Sequence, residues 1–378
     1  MLMRKSEPKK SGWVEVIPMK TGYEVRNKRD RMNCRTWLPT WIVTVIAYTA
    51  LLAGCKSVEG QNDTSTQCLF TPKTQESIQQ VASSVVGVGA MYDYHVELFH
   101  HELERGSFIR DTGSSTGYRL SPGDAGTTRS DTTIRVHGTG LIIYHDEHRA
   151  VVLTSQHILA SADTSSTFHR DSNGVSTGIL YSRAIKAKST FFIDDQNGRT
   201  RAAEILYTDP RADLGLLLVP STSPIGIPLP CDIAYNTNLE WGDLAVVFGY
   251  PHQAKQLALG IISPSPYPGN FVVDATARFG SSGGPIFVIR PGGAIELAGI
   301  MRAIPATELR YVAPPQSSLP GDILEPEAID KLRVEQVYLT DAGTAYGIGV
   351  EKIGKFLRDS LPKLQSKGIQ LASKFIPH

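Results

Sequence analysis

An all-β fold is what this sequence predicts, and two observations carry the prediction. From Thr132 onward, short apolar runs follow one another at close intervals, separated by turn residues. Helical spacing of apolar residues occurs only at Ile78, Val81, Ala82 and Val85, and again in Val350–Leu361. Regular short strands of this kind build barrels or sandwiches. The 378 residues, 41% of them hydrophobic, suffice for one large domain or two sub-domains. Lys+Arg 38 against Asp+Glu 37 leaves a net charge of +1, so nothing points to a nucleic acid or an acidic partner surface.

The chain opens with a segment that does not belong to the fold. Arg26, Lys28, Arg29, Arg31 and Arg35 precede an apolar run from Trp37 to Gly54, which ends at Cys55 and gives way at once to polar residues. A basic flank, an apolar stretch and a small-residue ending are the marks of an export signal. Leu52-Ala53-Gly54-Cys55 resembles a bacterial lipobox, in which the cysteine is acylated and becomes the new N-terminus. Met32 is then the expected start, with residues 1–31 an over-extended reading frame. The alternative is an uncleaved membrane helix, since about 18 apolar residues just span a bilayer; Pro39 and the small-residue ending favour cleavage. Of the cysteines remaining after Cys55, Cys68 and Cys231 could pair in an oxidising envelope.

Gln61–Thr71 is polar and aperiodic and reads as a tether. A short amphipathic helix then runs into a strand at Val85–Met91. His95 to Thr132, rich in Ser, Thr, Gly and His, reads as a long loop or insertion. His95, Glu97, His100, His101 and Glu102 crowd there, but crowding on a polar loop does not supply ligand geometry, so no metal is expected. Strands are expected at Ile134–Val136, Gly140–Tyr144, Ala150–Thr154, Thr190–Ile193, Ala202–Tyr207 and Leu214–Val219. A second set follows at Leu244–Phe248, Gly260–Ser263, Phe271–Ala275, Pro285–Ile289 and Glu296–Met301. Residues 304–345, with Pro305, Pro314, Pro315, Pro320 and Pro326, read as an extended surface excursion with one helical turn.

The chemistry is expected at Gly280-Ser281-Ser282-Gly283-Gly284-Pro285, set between two apolar runs. Glycines there allow unusual dihedrals, so that two amide N–H groups can converge on one developing oxyanion. A plain Gly/Ser hairpin loop is the structural alternative. An activated serine needs a base, and the base needs an acid to orient it. His157 leaves the apolar run Val151–Leu153, and Asp213 opens the run Leu214–Val219, so each sits at the edge of a framework that can lock its rotamer. Asp209, which precedes Pro210 and belongs to the turn, is the weaker candidate.

With these residues in place, the sequence resembles the chymotrypsin-fold serine peptidases, and specifically their HtrA/Deg branch. Gly138–Ile143 is similar to the strand before the histidine, Leu153–His157 to the histidine motif, and Thr208–Leu214 to the aspartate motif. Gly249-Tyr250-Pro251 with Gly260–Ser263 resembles the family's hairpin, and Asp274-Ala275 leads to Ser282-Gly283-Gly284-Pro285. The match runs from about Val81 to Val350. The resemblance implies two perpendicular six-stranded barrels with the triad between them, His157 and Asp213 from the first and Ser282 from the second. It also implies an oxyanion hole of the Gly280 and Ser282 amides, with no cofactor. Thr276, six residues before the serine, would floor the primary specificity pocket. Arg302, Ala303 and Ile304 would belong to the substrate-pairing strand, Ile304 narrowing the pocket mouth. Small or medium aliphatic residues are then expected before the cut.

Three departures from the family pattern stand out. Ser281 occupies the place where propeptide-activated peptidases carry an aspartate, Arg278-Phe279 replaces the usual Asn-Pro, and the residues after Val350 are too few for a PDZ module. The expected organisation is a signal segment over 1–55, a tether over 56–74, a first barrel over 75–225, a second barrel with C-terminal helix over 226–362, and a tail over 363–378. The expected function is that of a serine endopeptidase of the bacterial cell envelope. It is lipid-anchored at Cys55, facing the periplasm from the outer membrane, and acts on misfolded or exported polypeptides. The alternative is a catalytically silent, chaperone-like or peptide-binding lipoprotein on the same fold.

Overall fold

The computed structural model describes residues 71–376, apart from 172–174, 221–222, 235–238, 266, 314–332 and 342. Cys55, the lipobox, most of the tether and Cys68 lie outside the described residues. Cys231 is half-buried and makes no disulfide among the described residues; its pKa is pushed up to about 12, chiefly by burial.

Helix α1 (Pro72–Ala82) starts where Thr71 Oγ1 accepts the Thr74 N–H and Pro72 takes the first helical position. The first barrel follows. Its elements are β1 (Val85–Phe99), the short pair β2 (Leu103–Glu104) and β3 (Ser107–Phe108), β4 (Thr127–His145), β5 (Arg149–Ser155), helix α2 (Gln156–Leu159), β6 (Thr164–Arg170), β7 (Ser176–Asp194), β8 (Thr200–Asp209) and β9 (Leu214–Pro220). Six strands close in the order β1-β4-β5-β9-β8-β7, with β7 returning to β1, and β6 is added outside on β7.

The second barrel contains β10 (Asp232–Ile233), β11 (Leu244–Gly249), β12 (Gln256–Pro264), β13 (Asn270–Ala275), β14 (Pro285–Ile289) and β15 (Ile295–Ala303). An outlying pair, β16 (Ala306–Ala313) and β17 (Arg333–Thr340), precedes β18 (Thr344–Gly349) and helix α3 (Val350–Ser366). Here the ring is β15-β14-β11-β12-β13-β18, closed by β15 on β18, while β10 lies parallel to β15. The two closed six-stranded antiparallel barrels and the C-terminal helix are the expected fold.

The apolar runs are continuous rather than alternating because both faces of these strands are covered. In β9, Leu214, Leu216 and Leu218 point to a core shared by the two barrels, while Leu217 and Val219 fill the first barrel. In β11, Val246 and Phe248 face the shared core, while Ala245 and Val247 fill the second barrel. Phe248 meets Phe287 edge-on at 6.0 Å in that shared core. Helix α3 seals it with Ile353, Phe356 and Leu357 at the spacing of one helical face. The helix continues past Leu361 and through Pro362 to Ser366, held by the buried Leu364.

Two expectations are corrected. Residues 95–132 are not one long loop: β1 and β4 pair without interruption from Val85↔Leu141 to Phe99↔Thr127, leaving only 100–126 as connection. The far part of this ribbon reads as loop because much of it is polar and solvent-facing, although Thr suits a pleated surface. Residues 304–345 are not merely an extended excursion, since β16 and β17 pair from Ala306↔Thr340 to Ala313↔Arg333. Strand β6, polar and largely exposed, carries no apolar pattern and is also missing from the sequence-based expectation.

Candidate active site

The site forms where the ends of β5 and β9 meet the turn between β13 and β14. Helix α2 carries His157 directly after β5, and its neighbours fix it: Ile158 and Leu159 are buried, and the Tyr92 hydroxyl donates to the Ile158 carbonyl at 2.8 Å. Asp213 stands before β9 with φ of 56°, a left-handed conformation that a short polar side chain tolerates. Its carbonyl accepts the Gln156 N–H at 3.1 Å, and its Oδ1 accepts the His157 N–H at 3.0 Å. The imidazole Nδ1 lies 2.9 Å from Oδ2 and 3.1 Å from Oδ1. A carboxylate accepts only, so Nδ1 carries the proton and Nε2 is left as the basic nitrogen. The Asp213 side chain is 9% exposed and the His157 side chain 25%, so the pair is sheltered yet reachable. Asp209 spends its Oδ1 on the N–H groups of Arg211 and Ala212 and so shapes the turn before Asp213.

Ser282 sits on two successive turns. Ser281 N–H donates to Arg278 O at 3.0 Å, with Gly280 at φ 98° in the third position, and Gly284 N–H donates to Ser281 O at 3.0 Å, with Gly283 at φ 79°. A positive φ at that position of a turn is what requires glycine. The turn forms with Arg278-Phe279 in place of Asn-Pro, because its geometry is set by Gly280. Among the described residues, neither the Gly280 nor the Ser282 N–H donates to a backbone carbonyl.

Thr139 seats this turn on the first barrel. Its N–H donates to Ser282 O at 2.8 Å, its hydroxyl donates to Gly280 O at 2.7 Å, and the same hydroxyl accepts the Tyr250 N–H at 2.9 Å. Thr154 Oγ1 holds Thr139 O from below at 2.6 Å. Met301 O accepts both Gly283 N–H at 2.8 Å and Ser155 Oγ at 3.2 Å, two residues before His157. The serine turn and the histidine helix are therefore tied to one another through Met301. Ser282 Oγ and His157 Nε2 share no hydrogen bond in this structure; such contacts commonly tighten only with substrate bound.

The expected substrate residues do not gather in one place. Thr276 lines a pocket of about 280 Å³ walled by Val247, Pro251, Leu257 and Leu259, with Arg278 and Ser281 nearby. Arg302, Ala303 and Ile304 do not line it. Ala303 pairs with Tyr346 of β18, and Ile304 packs against the interior core of the second barrel. Arg302 instead points its Nε at Asp213 Oδ2, 3.5 Å away. Neither this ion pair nor the Thr139 latch was apparent in the sequence. A signal for the latch lay in Gly138-Thr139-Gly140, since a Cβ on Gly138 would fall 2.1 Å from Ile158 and 3.0 Å from Ser282 O.

The histidines and acids of 95–102 disperse among other partners. His95 meets Asp131 at 2.7 Å, His100 meets Thr128, and Glu97 lies between Arg129 and Arg183. His101 joins His169, Nδ1 to Nε2, at 3.3 Å.

Comparison with known proteins places a family match on this part of the chain: residues 138–293 match the trypsin-like peptidase domain. No curated protein matches the chain. Among solved structures, the chain is similar to an HtrA-type protease AlgW with decapeptide, at 16% identity and a TM-score of 0.40, over 77% of this chain and 67% of that one.

Proposed function

We propose that the chain is a serine endopeptidase that cuts polypeptides through Ser282, His157 and Asp213. The 2.9 Å contact between His157 Nδ1 and Asp213, beside a glycine-shaped turn that presents Ser282, is the observation that carries this reading. The match of residues 138–293 to the trypsin-like peptidase domain supports it. Ser282 Oγ attacks the scissile carbonyl while His157 Nε2 takes its proton, and the imidazolium then returns that proton to the leaving amine. Water repeats the sequence on the acyl-enzyme. Asp213 keeps the tautomer and stabilises the imidazolium, and the Gly280 and Ser282 amides receive the oxyanion, each such donor contributing on the order of a hundredfold or more in rate.

The substrates are misfolded or exported proteins of the bacterial cell envelope, met by an enzyme tethered through a lipid on Cys55. Support for that location is the basic, apolar and small-residue order of the sequence ending at Cys55. Cleavage follows small or medium aliphatic residues: no carboxylate lines the Thr276 pocket to meet a Lys or Arg, and Arg278 would repel one. The silent peptide-binding alternative draws on the missing contact between Ser282 Oγ and His157.

A fluorophosphonate probe separates the two. The wild type labels and hydrolyses peptides, and Ser282→Ala does neither. Activity surviving in clean Ser282→Ala protein, or a wild type that never labels, would remove the proposal.

A further inference from the structure

We infer that Arg302 is a positioning residue for the acid–base pair: from the second barrel it holds the Asp213 carboxylate and sets the pH at which His157 becomes free to act as base. The inference rests on the peptidase reading above. It begins with the backbone. Met301 N–H donates to Gly284 O at 2.7 Å, and Met301 O accepts from Gly283 N–H and from Ser155 Oγ. The chain just before Arg302 is thus clamped between the serine turn and the residue that opens the histidine helix. Along β18, Met301 pairs with Gly347 and Ala303 with Tyr346, so Arg302 is the extra residue at a shift of register. An extra residue in a ladder re-aims its side chain. Here the side chain is aimed across the cleft, Nε to Asp213 Oδ2 at 3.5 Å, onto the oxygen that His157 Nδ1 also approaches at 2.9 Å.

Among the described residues, two charged groups are seen to act on Arg302 or to feel it. Asp213 faces it from the first barrel, with His157 on the other side of that carboxylate. From α3 comes Lys352, whose ammonium donates to Asn270 Oδ1 at 2.9 Å and whose pKa is lowered, first by burial and then by Arg302. The Asp213 carboxylate is therefore shared between a permanent cation and an imidazole. Arginine remains charged throughout the working range and its planar head cannot be deprotonated. By taking part of the carboxylate's field it lessens the stabilisation of the imidazolium, so the imidazole stays neutral to lower pH than it would beside Asp213 alone. It also restrains the carboxylate against rotating away from Nδ1.

The test is the rate of fluorophosphonate labelling between about pH 5 and 9 for the wild type, Arg302→Lys and Arg302→Met. In Arg302→Met the acid limb of the profile should move up by roughly half to one pH unit, and the plateau rate should fall several-fold. Arg302→Lys keeps the charge and should restore the limb. Thermal unfolding of each variant is followed alongside, and Arg302→Gln replaces the methionine variant if that one does not fold. An acid limb at the same pH in all variants overturns the inference while leaving the peptidase reading intact. A wild type that labels at no pH removes the peptidase reading itself, and the inference with it.

Discussion

Replacing Gly283 by alanine probes the junction on which the serine depends. A Cβ at Gly283 would lie 2.2 Å from Thr139 O, 2.4 Å from Thr154 Oγ1 and 2.9 Å from Ser155 N. Two of these three are backbone atoms of the first barrel, which cannot rotate aside. Ordinary contact begins at 3.4 Å, so the shortfall at Thr139 O is about 1.2 Å and the serine turn must retreat by that order. The left-handed φ of 79° adds roughly 1 kcal/mol for alanine, and overpacking adds about 1–3 kcal/mol. Unfolding temperature should therefore fall by several degrees. If Ser282 is the nucleophile, as proposed, the rate should fall much further than stability requires, because a displacement near 1 Å at a reacting group costs on the order of a hundredfold. Peptide hydrolysis and probe labelling, both measured well below the unfolding transition, give the comparison. Gly292→Ala is the control: its φ is 82° but a Cβ there meets nothing within 4 Å, so it bears the backbone strain without the collision, beyond the opposite end of β14 from Ser282. A Gly283→Ala protein that is folded and within about threefold of wild-type rate would refute the reasoning.

Two pH effects on stability follow from other groups. His101 and His169 both have pKa values below the ordinary 6.5, in each case chiefly through burial, so the unfolded chain takes up protons that the native pair resists as pH falls below 6.5. The tie between 100–126 and β6 should weaken there, seen as faster proteolysis within 100–126 at about pH 5 than at about pH 8; equal rates would contradict it. Lys255 has its pKa lowered to about 8 by burial, while Nζ donates to Ala82 O at 2.7 Å and to Gln196 Oε1 at 2.5 Å. Between 8 and the ordinary 10.5 the unfolded chain holds a proton that the native state has released, so the native state gains stability as pH climbs through that window. Urea midpoints of the wild type should rise relative to Lys255→Met across it, and a constant difference would count against the assignment.

Most strands of both barrels were legible because their apolar runs answer to burial on two faces, one toward a barrel interior and one toward the shared core; β18, which closes the second ring, was not, since it follows directly on the segment read as a surface excursion. The serine turn was legible for a similar reason, since Gly280 and Gly283 stand where no Cβ fits. His157 and Asp213 were conspicuous as polar residues at the ends of such runs. What escaped were features made by pairing between distant segments: the long β1–β4 ribbon, whose outer half is polar, and the β16–β17 pair, whose strands are separated in sequence by several prolines. No local pattern distinguishes such segments from loops, because their partners are what hold them extended.

By itself the chain's order of residues determined which side chains could do chemistry and which backbone positions had to be glycine, since both depend on covalent structure and local dihedrals. Barrel closure alone decided that Asp213 meets His157 on one side and Arg302 on the other, that Thr139 holds the serine turn, and that Thr276 opens onto β11 and β12 instead of residues 302–304. Those contacts join atoms far apart along the chain, and their geometry comes from the register of strands packed around the shared core and the two barrel interiors.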